Sequence, residues 1–485
     1  MRQRMRALLV STNRCRDLLP PPPVGVGYVA TAAADAGHDV RLLDLQLARH
    51  PEQQLARAAR EFRPDVVGFS VRNLDNLIRQ RARDQFSSVA PLLAAVREHS
   101  HAPVVLGGPA VSIAGPSALR RLDADFAVIG EGEGSFVALL EALEGRTLDQ
   151  IPGLVHRRNG NLITNPQAHA ERFGGSGMER WVDWKHYERI GSTWAIQTKR
   201  GCPLPCTYCL YGTIEGARYR LRPAGDVVDE MERVWREQRP RTFEFVDSTF
   251  NLPVDHALAV CAEIARRAGR AALTAQGVNP LGASPELFKA MKRAGFNSFM
   301  VSAESGSDTM LERLGKGFSV DHVQRTIEAA RASGMVSLWF FMLGAPGETQ
   351  ATVEESLSFA ERWLDWEGCL VILFAGVRVL PGTEVARIAR AEGQIADDDD
   401  LVEPRFYFSR DVDERWLVER IRRAVVRRAN IVHAAEEDAS LQRVMNSVLS
   451  GIGVAPPHWR FLPRVLDAFP LRQLRRLRPD FGRAA

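Results

Sequence analysis

Three cysteines fall within eight residues: Cys202, Cys206 and Cys209, a C-x3-C-x2-C spacing in GCPLPCTYCLYG. Thiolates grouped in this way bind soft metals, typically zinc or iron–sulfur. Structural zinc wants four ligands, and no fourth Cys or His lies nearby; the next His upstream is His186. Three thiolates leave one iron of a 4Fe-4S cluster open, and an open iron can chelate a small molecule through amine and carboxylate. Tyr208 is the aromatic residue before the last cysteine. Cys261 falls in a helical pattern and Cys369 at a strand start, so both read as core. Cys15 falls in a loop and is ambiguous.

The elements that must position this chemistry follow from apolar runs. Strands are expected at 5–11, 39–45, 64–71, 102–108 and from 124, with helices between them. The runs are continuous, not alternating, which suits a parallel sheet covered on both faces. Five β/α units predict a doubly wound α/β domain, whose ligands bind beyond the carboxyl ends of its strands. Three of those ends look specialised. SVRNLDN holds Arg72, Asn73 and Asp75; GGPAVS holds Gly107 and Gly108; GEGEG holds Gly130, Glu131 and Gly132. Paired glycines let backbone approach a ligand closely. The loop after the first strand, NRCRDLLPPPPVGVGY, is no G-x-G-x-x-G, so a nicotinamide dinucleotide site is not expected.

A second array surrounds the cysteines. Strands are expected at 192–198, 241–251, 271–280, 296–306, 335–349 and 369–383, separated by helical patterns. Six β/α repeats make a partial barrel with its chemistry at the strand C-termini. Residues 397–400 are four aspartates, expected as a solvated loop, and 415–432 an amphipathic helix with a basic face.

These segments resemble radical SAM proteins, through the cysteine motif, FVDSTFN, ESGSDTMLERLGKGFS, FFMLGAPGET and VLPGT. The first third resembles the cobalamin-binding domain that precedes many of them, through PPPPVGVGYVATAAADAGHDVRLLDL, VVLGGPAVS and DFAVIGEGEGSFVALLEAL. The likeness spans about residues 5–390. It implies a 4Fe-4S cluster on Cys202, Cys206 and Cys209, with S-adenosylmethionine and cobalamin. Asp247 and Asn251 would then lie near the amino group of the sulfonium ligand, although the family's Gly-Gly-Glu is replaced by VDSTFN. Glu304 and Ser305 would meet the ribose hydroxyls, or Glu304 the open iron, and Gly344, Pro346 and Gly347 the adenine. The cobalamin motif D-x-H-x-x-G is absent around all eleven histidines. In the related tryptophan methylases an Arg sits below the cobalt, and Arg72 is placed for that role; a cation donates no lone pair.

The resemblance implies methyl transfer from S-adenosylmethionine via methylcobalamin to an unactivated carbon, in a small-molecule or peptide substrate. An external, flavodoxin-like one-electron reductant is implied. The alternatives are a cyclase or ring-rearrangement enzyme on the same cofactors, a non-catalytic cobalamin and iron–sulfur sensor, and a zinc-binding nucleic-acid module.

Composition bounds these readings. A chain of 485 residues with 45% hydrophobic and 25% charged residues is globular, not disordered or collagenous. Four regions are expected: a cobalamin sheet at 1–145, a linker with a small hairpin at 146–191, the partial barrel at 192–390 and a helical domain at 391–485. No uncharged apolar run of about 18 residues predicts a spanning helix, and the N-terminus does not read as a secretory signal. Six cysteines support no disulfide framework, which points to a reducing, cytoplasmic setting. Net charge is +4, so no nucleic-acid partner is expected. The excess lies after residue 400, where 16 Arg face 10 Asp plus Glu; a solvated helix is expected there, without membrane contact.

Overall fold

The computed structural model describes residues 4–15, 19–143, 147–267, 271–436 and 439–467. The last eighteen residues, which carry most of the basic tail, lie outside the described residues.

The first sheet is built from β1 (Arg6–Ser11), β2 (Asp39–Asp44), β3 (Val66–Ser70), β4 (Val104–Gly107) and β5 (Phe126–Val128), all parallel, in the order 2-1-3-4-5. Its strands are apolar on both sides because helices cover both faces: Leu8, Val10, Val67 and Leu106 pack one way, Ala7, Leu9, Val66 and Val105 the other. The hairpin β6 (Leu154–Arg158) and β7 (Asn161–Thr164) is no separate linker element. β6 pairs antiparallel with β5 and extends the sheet, covering an edge that would otherwise leave a row of unpaired backbone groups. Asn159 and Gly160, at φ 51° and 82°, make its turn.

The second sheet begins with β8 (Trp194–Ile196). A short antiparallel clip, β9 (Lys199–Arg200) with β10 (Arg220–Leu221), then brackets the cysteine loop. Next come β11 (Thr242–Phe245), β12 (Ala272–Val278), β13 (Phe296–Glu304), β14 (Val336–Leu343) and β15 (Cys369–Ala375), each parallel to the one before it. β16 (Val377–Arg378) and β17 (Phe406–Tyr407) form a second small clip. A seventh parallel strand, β18 (Ile431–His433), joins β15. The helix expected through 432 therefore ends at Arg427; Arg428 is extended, and the β-branched pair that follows adds to the sheet.

Alternation along these strands separates two environments. Phe243, Phe245, Leu273, Ala275, Phe299, Val301, Trp339, Phe341, Val371 and Leu373 face the surrounding helices. The residues between them face the lumen, where Met300, Leu338, Leu370 and Ile372 pack on Trp459, Leu462 and Leu466 from the C-terminal segments. Burying each large apolar side chain contributes about 1.5–3 kcal/mol, so the C-terminal region is a plug in the open side of the partial barrel. Among the described residues, no helix is long and apolar enough to cross a membrane.

Candidate active site between the two sheets

The cysteine loop leaves β9 at Gly201, whose φ of +85° and the nearby Arg218 carbonyl exclude a side chain. Cys202 N–H donates to the Gly216 carbonyl (3.0 Å), and Cys209 N–H to the Cys206 carbonyl (3.1 Å). Tyr211 N–H points at Cys209 Sγ (3.5 Å), the kind of donor that stabilises a ligating thiolate. Thr207 N–H is held by the Leu314 carbonyl (3.1 Å), tying the loop to the segment after β13. Among the described residues, no group of three His, Cys, Asp or Glu side chains converges to hold a metal ion. The three thiols share one loop and lie within electrostatic reach of one another, a thiolate set that can ligate iron. The loop thus fits the 4Fe-4S group.

Beside it lies a polar trio that sequence only half revealed. Tyr208 Oη donates to Glu304 Oε1 (2.9 Å), and Lys316 Nζ donates to Tyr208 Oη (3.0 Å) and lies 3.5 Å from Glu304 Oε1. Lys316 is 3% exposed. Glu304 ends β13 at a register shift with φ 66°, a left-handed conformation rare outside glycine. The backbone turn aims its carboxylate at the cysteine loop.

Several of the expected contact residues have hydrogen-bond partners within the protein. Asp247 is not free to take an amino group. Its carboxylate accepts from Thr198 N–H (2.7 Å), Thr198 Oγ1 (2.6 Å), Lys199 N–H (3.1 Å) and Lys199 Nζ (3.3 Å), which uses its acceptor sites. It anchors the β8–β9 turn that carries the cysteine loop. Asn251 is likewise occupied, by the backbone of Asn279 in both directions. Ser305 is buried and bonded to Ser356 Oγ (2.7 Å) and Ser307 N–H (3.1 Å), so it shapes the turn. Gly344 has φ +88°, and a side chain there would meet the Phe408 ring at 3.0 Å, so its missing Cβ admits Phe408. Gly347 is closed off by Arg313, which donates to its carbonyl (2.6 Å). Pro346 is half-buried in the same turn.

On the first sheet, Arg72 is exposed just beyond β3, and its guanidinium hydrogen-bonds to its neighbour Asn73 (3.3 Å). Its charge reaches across to Tyr211 and to Glu244 on β11. Gly107, at the end of β4, has open space where a side chain would project. These features fit a planar cofactor on the strand ends. Gly108, Gly130 and Gly132 answer instead to the protein: a Cβ would meet the Val71 carbonyl at 2.6 Å, Gln167 Oε1 at 2.6 Å and Val29 Cγ2 at 3.0 Å.

Two acidic residues assigned to cofactor turn out to join the sheets. Asp75 pairs with Arg378 Nε (2.6 Å), with both side chains buried. Glu131 pairs with Arg220 and with Arg200 (3.7 Å), and accepts from Ala170 N–H (3.1 Å). Burial raises its carboxyl pKa, but the two guanidiniums hold it below the ordinary range. Arg200 also stacks over Tyr28 and Phe173, with 4.6 and 4.4 Å to the ring centroids. The strand-end loop of the first sheet and the clip bearing the cysteines are therefore one electrostatic unit. The aspartate run belongs to a similar join: Asp400 and Glu403 pair with Arg121 at 2.8 and 3.2 Å.

Sequence reasoning passed over Lys316, Lys199, Arg378 and Glu244. Lys316 and Lys199 carried one available signal: they are two of only five lysines among 63 basic residues.

Comparison with known proteins agrees with this layout. The B12 binding domain family matches residues 18–140 and the Radical SAM superfamily residues 196–360. An uncharacterized methyltransferase of Pyrococcus horikoshii is 28% identical over 349 residues, 70% of this chain and 73% of that one. The tryptophan 2-C-methyltransferase of Streptomyces laurentii is 25% identical over 434 residues, 76% of this chain and 72% of that one. Among solved structures, the radical S-adenosylmethionine methyltransferase TsrM of Kitasatospora setae, with cobalamin and a 4Fe-4S cluster bound, superposes with a TM-score of 0.82. It covers 98% of this chain and 99% of its own at 22% identity, a likeness of fold.

Proposed function

We propose that this chain, whose segments match the B12 binding domain and Radical SAM superfamily models, is a cobalamin-dependent methyltransferase acting on an unactivated carbon of a small molecule. The observation that carries the reading is that Arg200 and Arg220, in the clip that brackets the cysteine loop, pair with Glu131 at a strand end of the first sheet, which sets those strand ends beside the cysteine loop. When bound, the cobalamin would supply a methyl carrier, the cluster single electrons and S-adenosylmethionine the methyl group. The chain's own part is to bind, orient and shield. Cys202, Cys206 and Cys209 would hold the cluster. Glu304, fixed by Tyr208 and Lys316, would set the negative charge beside its open corner. Arg72 would face the cobalt without donating a lone pair. Leu19 and Ile78 from the first domain pack against lumen residues of the second. The reductant is proposed as an external, flavodoxin-like donor.

The test is anaerobic turnover of purified enzyme with deuteromethyl-labelled S-adenosylmethionine and candidate substrates. A product carrying three deuterons supports methyl transfer. A turned-over product without label sinks it in favour of cyclisation or rearrangement. Failure to form adenosylhomocysteine or deoxyadenosine with any substrate indicates a sensor.

A further inference from the structure

Glu244 is a buried carboxyl without a cationic partner, and it faces the lumen. On β11 its neighbours Phe243 and Phe245 point to the helices, so Glu244 points inward. It is 4% exposed. One oxygen, Oε2, accepts from Thr193 Oγ1, and the other, Oε1, from Gln276 Nε2 (2.8 Å) on β12. Both donors are neutral, and among the described residues no Lys, Arg or His forms an ion pair with it. Each oxygen keeps one acceptor site. Around the same lumen stand Met300, Phe340 and Phe374, with the two rings 6.3 Å apart.

Burial without a paired counter-charge disfavours the ionised form and raises the Glu244 carboxyl pKa. Arg72, whose charge it feels, forms no ion pair with it among the described residues and bonds to Asn73. A buried carboxyl that faces the lumen with only neutral hydrogen-bond donors is suited to a ligand that brings its own positive charge.

We propose that Glu244, oriented by Gln276 and Thr193, is a substrate-binding residue that receives a protonated amine on the lumen side of β11. The inference rests on the proposed function only in taking the lumen as the substrate's place.

Binding can be measured without turnover, so it fails or succeeds separately from methyl transfer. The probes are 2-phenylethylamine and 3-phenylpropionate, which share a ring and carry opposite charges, titrated calorimetrically into the cofactor-loaded enzyme. The amine is expected to bind at least tenfold more tightly than the acid. Glu244→Gln keeps the shape and should abolish that preference, while the melting temperature and the cofactor spectra report that the fold is retained. If Glu244→Gln does not fold, Gln276→Leu serves, with an expected several-fold loss of amine affinity only. Equal binding of the two probes, no saturable amine binding by the wild type, or an unchanged preference in the variant that folds would overturn the proposal.

Discussion

Arg378 on β16 donates through Nε to Asp75 Oδ2 across 2.6 Å, joining residues 303 positions apart, with neither side chain open to solvent. Arg378 also donates to the carbonyls of Leu401 (2.9 Å) and Val402 (3.3 Å), and Asp75 accepts from Leu77 N–H (2.8 Å). One ion pair therefore ties the loop bearing Arg72 to the rim of the partial barrel. Removing one partner of a buried pair strands the other charge, at about 3–5 kcal/mol. Asp75→Asn should lower stability by that amount in urea titration and weaken cobalamin binding through the loosened loop. Unchanged stability and binding would show that the pair positions nothing.

Replacing any one of Cys202, Cys206 or Cys209 by Ala should reduce bound iron and sulfide after anaerobic reconstitution to near background. Cobalamin binding should survive, because its strand ends belong to the other sheet. Iron retained in all three single variants would remove the cluster assignment.

Arg72→His tests the cobalt environment directly. A guanidinium has no lone pair to give, whereas a neutral imidazole has one. With cobalamin bound and reduced to Co(II), the variant should show nitrogen superhyperfine splitting in its electron paramagnetic resonance spectrum, and the wild type none. The same splitting in the wild type would mean that a nitrogen base, from another side chain or from the cobalamin's own tail, ligates the metal.

Glu348 predicts a pH dependence of stability. It is fully buried, accepts from the N–H groups of Gly344 and Ala345 through Oε2, and has no partner at Oε1. Burial raises its pKa from 4.5 to about 7, against the opposing pull of the two backbone donors. The folded protein then holds a proton that the unfolded chain has lost. Its contribution to stability is full below about 4.5, falls as pH rises and is gone above about 7, a change on the order of 3 kcal/mol. Glu348→Gln imitates the protonated form, so its stability relative to wild type should increase across that window. A constant difference between the two proteins from pH 4.5 to 7.5 would refute this.

What could be read from the chain alone was what is local. The cysteine spacing, the continuous apolar runs of two parallel sheets and the turn at Asn159–Gly160 depend on residues a few positions apart, and short-range sterics and periodicity determine them. Glu304 and Tyr208 were legible as polar and aromatic groups at the right places, but Lys316, which joins them, was not. The tertiary structure decided which polar groups remain available. Asp75, Glu131, Asp247 and Ser305 all sit at strand ends, where a sequence suggests ligands, yet Arg378, the Arg200–Arg220 clip, the Thr198–Lys199 turn and Ser356 claim them. Glu244 is the reverse case, hidden inside an apolar strand and left without a counter-charge by its neighbours. A charge buried in a low-dielectric interior must find its partner wherever the fold brings one, and sequence distance carries no record of that meeting.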